Sequence, residues 1–277
     1  MINGFVLAKK GEKLSKSKGN SALDPATLIS IHSADALRYW SANARLGTDT
    51  FFDTEELSTS KRFITKLWNA SKFAIFHLED IDLSREPALL PIDRWIIERT
   101  NETFNKASGL LNEYEIGSAR HEIDDLFWKD FCDNYIEVAK SRLYEPEIHG
   151  YEERCSGQYA LYYTLLSILK MYAIYVPHIT DYIYGEFFRQ HEKAASIHLL
   201  QWQSGSFVDE KILLFGEEVK IAVFGMRKYK SENNLSMRAE MSELIVEHSP
   251  QLLDWFRQSE KDLKYCTNAK KVTFIQS

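Results

Sequence analysis

The chain has 277 residues, 44% apolar and 27% charged, with 12 glycines and 6 prolines, an ordinary globular composition that excludes disorder and low complexity and suggests about two domains. No apolar run reaches the roughly 20 residues of a membrane span, and the opening Met-Ile-Asn-Gly-Phe-Val-Leu has no basic stretch ahead of an apolar one, so no secretory signal is expected. The net charge of −6 argues against general nucleic-acid coating, but residues 1–72 carry 11 Lys/Arg against 7 Asp/Glu and residues 73–202 carry 12 against 22, a basic leading end on an acidic body.

In chain order, residues 2–7 read as a short strand. Residues 8–20, rich in Lys and Ser with Gly11 and Gly19, read as a loop. Asp24-Pro25 starts a helix running to about Ile31, with the acid as cap and proline at the first position. Asp35 to Arg45 reads as a second helix. Thr54, followed by Glu55 and Glu56, caps a long amphipathic helix. After a loop over 80–90, Pro91 opens another, a third spans Ile116 to Leu143, and a fourth spans Cys155 to Val176 before Pro177 ends or kinks it. Ile179–Arg189 is helical again. Four long amphipathic helices in series predict an antiparallel bundle. Ser196–Trp202 looks extended and Gln203–Phe207 is a linker candidate. The tail reads as a small α/β unit: a helix over Asp209–Glu232, a strand at Glu243–Glu247, a helix start at Ser249-Pro250 and a strand at Lys271–Gln276. The expected division is 1–53, 54–202 and 203–277.

The chemistry concentrates in Lys13-Leu14-Ser15-Lys16-Ser17-Lys18-Gly19-Asn20. Lysines alternating with hydroxyls beside a glycine can wrap a polyphosphate, ammonium groups neutralising charge and hydroxyls donating hydrogen bonds. A solvated basic loop has the same composition; the order of residues separates the two readings. That order resembles the K-M-S-K-S-K-G-N signature of class I aminoacyl-tRNA synthetases, with Leu14 in place of Met. Gly4-Phe-Val-Leu, Ser21-Ala-Leu-Asp-Pro25 and Ser33-Ala-Asp-Ala-Leu-Arg38-Tyr-Trp40 are similar to the family's flanking segments. Arg45-Leu-Gly-Thr-Asp49, Lys66-Leu-Trp-Asn-Ala70, Pro91-Ile-Asp-Arg-Trp95, Phe127-Trp-Lys-Asp-Phe-Cys-Asp133, Tyr135-Ile-Glu137 and Arg142-Leu-Tyr144 resemble its valyl branch, with archaeal-type wording at Tyr39-Trp40 and Thr48-Asp49.

The resemblance implies a mostly α fold. A strand, loop and helix segment that contacts the tRNA stem would precede an antiparallel anticodon-binding bundle of the class Ia type, and a small α/β unit would follow. It implies valine activation with ATP, carried as its Mg2+ complex, and transfer to tRNA(Val). Lys16 would stabilise charge on the ATP phosphates, Lys13 would assist, and Ser15 and Ser17 would hold phosphates or the loop. No H-I-G-H-type motif and no editing insert are present, so the chain is expected to be the C-terminal part of a longer ligase, inactive without its N-terminal catalytic and editing domains. A cytoplasmic monomer without membrane contact is expected.

The tRNA-contact candidates are Trp128, Lys129, Asp130, Asp133 and Tyr135, which supply stacking faces and polar edges for unpaired bases; Lys61, Arg62 and Lys66 along one helix, for backbone phosphates; and Arg227, Lys228 and Lys230 in the tail. Each has a structural reading as well: Phe127, Phe131 and Trp128 fit a core stripe, the cations fit solvated helix faces, and Arg38 three residues after Asp35 fits an intrahelical ion pair. The three cysteines and eight histidines show no zinc-ligand spacing, so no metal is expected. The rival functions are a freestanding RNA-binding relative and a helical interaction module.

Overall fold

A computed structural model describes residues 4–7, 24–202 and 208–276. Strand β1 (Val6–Leu7) pairs in parallel with β2 (Thr50–Phe51), Val6 opposite Thr50 and Leu7 opposite Phe51. Helices α1 (Pro25–His32) and α2 (Ala34–Ser41) lie between them in sequence. Ser33 stands between α1 and α2 at a φ of 79° and accepts the N–H of Ala36, so one residue both stops α1 and caps α2. The long helices follow: α3 (Thr54–Leu78), α4 (Pro91–Asn112), then α5 (Ile116–Asp125) running through a π-helical stretch, Leu126–Tyr135, into α6 (Ile136–Tyr144). Asp53, rather than Thr54, caps α3, its carboxylate accepting the Glu55 N–H at 2.8 Å. After the short α7 (Pro146–His149) come α8 (Tyr151–Tyr172), α9 (Pro177–Ile183) with a second π stretch at Tyr184–Phe188, and α10 (Arg189–Glu192). Ser196–Trp202, expected to be extended, contains a 3-10 turn at Ile197–Leu199.

The tail begins with α11 (Glu210–Glu232), capped by Asp209 through the Lys211 N–H at 3.0 Å. Strand β3 (Leu244–His248), helices α12 (Leu253–Gln258) and α13 (Glu260–Thr267) and strand β4 (Val272–Gln276) follow. β3 and β4 are parallel, Leu244 opposite Val272 through His248 opposite Gln276. Leu244, Val246 and His248 point inward while Ile245 and Glu247 point out, the period of a half-buried strand.

Residue contacts divide the chain into two compact units built from non-consecutive segments. The first gathers the described parts of Met1–Ile75, Thr103–Asp124 and Leu166–Ser204; the second gathers those of Phe76–Glu102, Asp125–Leu165 and Gly205–Ser277. In the first, Leu28, Ala36, Trp40, Phe52 and Leu57 form one apolar cluster, with Leu37 and Ile64 against it. In the second, α11 turns Ile212, Phe215, Val219, Val223 and Met226 inward.

Candidate nucleic-acid interface

Lys13, Ser15, Lys16 and Ser17 lie outside the described residues; the strand Val6–Leu7 before them does not. The Phe5 N–H donates to the Asp49 carboxylate at 2.7 Å, the Thr50 N–H to the Phe5 carbonyl at 2.9 Å and the Phe52 N–H to the Leu7 carbonyl at 2.9 Å. A Cβ on Gly4 would fall 1.8 Å from the Thr48 carbonyl oxygen, so only glycine permits this approach. Two of the segments that carry the resemblance, Gly4–Leu7 and Arg45–Asp49, are thereby strapped together. They line an open cavity of about 560 Å³ with Arg38, Trp40 and Tyr175.

Asp35 and Arg38 make no pair with each other. The Asp35 carboxylate accepts the N–H groups of Ile179 (2.7 Å) and His178 (3.3 Å), at the start of α9. Arg38 donates to the carbonyls of Ile174 (2.8 Å) and Tyr175 (3.2 Å), just past the end of α8. An acid thus meets exposed N–H groups and a cation meets exposed carbonyls, the arrangement helix ends favour. Nearby, Asp124 accepts the hydroxyls of Tyr39 (2.7 Å) and Tyr172 (2.8 Å) and pairs with Arg120 at 3.0 Å. Burial raises the Asp124 pKa despite that cation.

In the second unit the resembling segments converge on the interior. Arg142 grips Asp93 with both terminal nitrogens, at 2.6 and 2.7 Å. Tyr135, fully buried, donates to Asp93 at 2.7 Å, and the Ser156 hydroxyl donates to the same carboxylate. Asp262 approaches the Arg142 Nε at 3.2 Å, and its own pKa is pushed up to about 6, by burial first. Asp130, 2% exposed, is held by Arg99 (2.7 Å) and Lys220 (2.8 Å). Tyr135 and Asp130 therefore hold the fold and cannot touch a base, which corrects the expectation from sequence. Lys230 needs the same correction: it is buried, and its ammonium donates to the carbonyls of Thr267 (2.8 Å) and Met237 (3.0 Å). Burial lowers its pKa. The signal was readable, because Lys230 continues the inward stripe Val219, Val223 and Met226 of α11 at helical spacing.

The π geometry explains how Phe127–Tyr135 packs. Its six buried residues fall in three pairs five apart: Leu126 and Phe131, Phe127 and Cys132, Asp130 and Tyr135. That is the repeat of an i to i+5 helix. Lys129 and Asp133 are left exposed and Trp128 half-buried. Lys129 pairs with Asp125 at 2.8 Å. Arg227 donates to the Asp133 carbonyl at 2.8 Å, which brings α11 to this stretch, and the exposed Lys228 sits 3.8 Å from Glu232. On α3, Lys61 and Arg62 are exposed and Lys66 is partly so, with Arg62 donating to the Thr59 hydroxyl at 2.9 Å. Among the described residues no His, Cys, Asp and Glu cluster has the geometry to hold a metal ion.

The outward set is therefore cationic and partly aromatic on helices whose inner faces are fully committed to packing. A family model described as the anticodon-binding domain of tRNA ligase matches residues 93–246, more than half of the chain. The chain belongs to this family. The model for class I tRNA synthetases (I, L, M and V) matches residues 1–53, the segment that contains Lys13–Asn20. The Valine--tRNA ligase of Rickettsia akari (strain Hartford) is 35% identical over 289 residues, 99% of this chain and 34% of its own length. That of Ehrlichia canis (strain Jake) is 37% identical over 279 residues, 99% and 33% respectively. That of Thermococcus kodakarensis is 34% identical, 100% and 31%. The chain thus spans about a third of the length of these relatives. A solved ternary complex, agnB2 LeuRS-tRNA-LeuAMS of Agrobacterium radiobacter K84, superposes on 76% of this chain and 24% of its own at a TM-score of 0.54; at 16% identity it speaks to the fold alone.

Proposed function

We propose that this chain is the tRNA-binding part of a valine–tRNA ligase, with the anticodon arm of tRNA(Val) held by the helices of the matched domain. The single observation that supports it most is the joint match: an anticodon-binding domain over 93–246 in a chain aligned along 99% of its length with valine–tRNA ligases. The half-exposed Trp128 offers a stacking face, and Lys129, Arg227 and Lys228 offer backbone contacts. Lys61, Arg62 and Lys66 offer a second set on the first unit. In the complete ligase, Lys13, Ser15, Lys16 and Ser17 would meet the phosphates of Mg2+-bound ATP, Lys16 offsetting the charge that develops during adenylate formation. Such stabilisation is large only in a preorganised, water-poor site, which requires the catalytic domain. We expect a cytoplasmic, monomeric protein.

The test is a titration of the 277-residue chain with a valine tRNA and with the same tRNA carrying a mismatched anticodon. Tighter binding to the first is expected. Equal binding to both would favour a general RNA-binding module.

A further inference from the structure

A cavity of about 470 Å³ opens on the tail, lined by none of the residues used above for recognition. Its wall is the outward face of α13. Lys261, Lys264 and Tyr265 recur at i, i+3 and i+4 and share one stripe, and Asn268, just past the helix end, also lines the cavity. The opposite face, Asp262, Leu263 and Thr267, is buried, and Asp262 meets Arg142. Ile148, Glu240, Ala269 and Lys270 complete the lining. The chain is held in this shape by Asn268 in the left-handed region at a φ of 51°, by its side-chain amide donating to the Arg238 carbonyl at 2.8 Å, and by the Lys270 N–H donating to the Met241 carbonyl at 2.9 Å.

The charges are unbalanced. Most lysines of the second unit have a carboxylate beside them: Lys129 has Asp125, Lys220 has Asp130, Lys228 has Glu232 and Lys271 has Glu243. Here Lys270 pairs with Glu240 at 2.7 Å, and neither Lys261 nor Lys264 has a carboxylate within salt-bridge distance among the described residues. His149, whose ring lies 4.6 Å from that of Tyr265, has its pKa lowered by burial and then by Lys261 and Arg142. A concave site with two uncompensated ammonium groups and an exposed phenol suits a phosphate oxyanion, for which lysine acts as a point charge.

We infer that the α13 cavity is a phosphate-binding site that takes the sugar–phosphate backbone of the bound RNA, a contact of the tail separate from base recognition. The inference rests on the tRNA-binding reading above. Fluorescence-polarisation titrations of the full 277-residue chain with valine tRNA at several salt concentrations test it. Lys261→Glu/Lys264→Glu should weaken binding roughly 3- to 10-fold and lower the slope of log affinity against log salt by about 1 to 2. Lys261→Gln/Lys264→Gln should show a smaller loss and Lys261→Arg/Lys264→Arg almost none, with unchanged circular dichroism throughout. If wild type binds the tRNA and the Glu and Gln pairs match it in affinity and slope, the inference falls while the anticodon reading stands. If wild type binds no tRNA, both fall. A parallel titration with inorganic tripolyphosphate covers the remaining source: tripolyphosphate binding abolished by the Glu pair, with tRNA binding intact, would assign the cavity to a free polyphosphate and overturn the RNA assignment.

Discussion

Arg142 serves two buried carboxylates with one guanidinium. Asp93 takes the bidentate grip and two hydroxyls, so it is well satisfied as an anion; Asp262 keeps the weaker contact at 3.2 Å. Burial is the main reason the Asp262 pKa is raised, to about 6 against 3.8; the Asp93 charge adds to it, and Arg142 offsets only part of the rise. A pKa higher in the folded than in the unfolded state contributes stability that is complete below about 3.8 and is lost as pH rises through about 6. Wild-type stability should therefore decline over pH 4–7 relative to Asp262→Asn, whose amide does not titrate. The gap between the two, read by urea melts at pH 4 and pH 7.5, should change by about 2 kcal/mol in the variant's favour. A constant gap would show that the Asp262 pKa is the same in the folded and unfolded chain. Residues such as Asp130, Tyr135 and Lys230 carry the same lesson: a polar side chain in a resembling segment can be there to satisfy the interior, since a buried polar group without a partner costs about 1–3 kcal/mol.

Helix α11 shows how one element's sequence is read twice. Gly216 and Gly225 look alike in the chain, yet a Cβ on Gly216 would lie 1.8 Å from the Nε1 of Trp95, itself only 1% exposed, whereas one on Gly225 meets nothing within 4 Å. Gly216→Ala should destabilise by about 1–3 kcal/mol, because overpacking against a buried indole outweighs the gain in helix propensity. Gly225→Ala should stabilise by about 0.5–1 kcal/mol. Thermal melts of the two variants check both signs; equal shifts would mean that α11 does not rest on Trp95. The π-helical Leu126–Tyr135 belongs to this scale too. Its periodicity predicts an ordinary helix through Leu143, and the three five-spaced buried pairs become visible only once the partners of Asp130 and Tyr135 are known.

Across the molecule, recognition of an RNA by a chain of net charge −6 has to rely on local cationic faces. Two cationic pairs expected from sequence, one on each unit, reach the surface: Lys61 with Arg62, both exposed, and the half-buried Arg227 with the exposed Lys228. Charge reversal of either pair should weaken binding of valine tRNA and lower its salt slope by about 1 to 2. The free-energy losses should add in the quadruple variant, as for independent sites. A pair whose reversal leaves affinity and slope unchanged lies off the RNA.

The sequence by itself determined the helical architecture, most element boundaries within a few residues, the two tail strands and the order of residues over Lys13–Asn20. All of these depend on local periodicity, capping and proline placement, which a linear chain displays. It also carried the resemblance to class I synthetases. That the tail strands pair in parallel came from the structure. Only the tertiary structure decided which candidates are available to a ligand. Asp35 and Arg38 part to serve two different helix ends; Asp130, Tyr135 and Lys230 turn inward; Lys261 and Lys264 are left without carboxylates around a concavity. Those outcomes depend on partners far away in the chain, where burial and charge compensation are set by packing that no local pattern records.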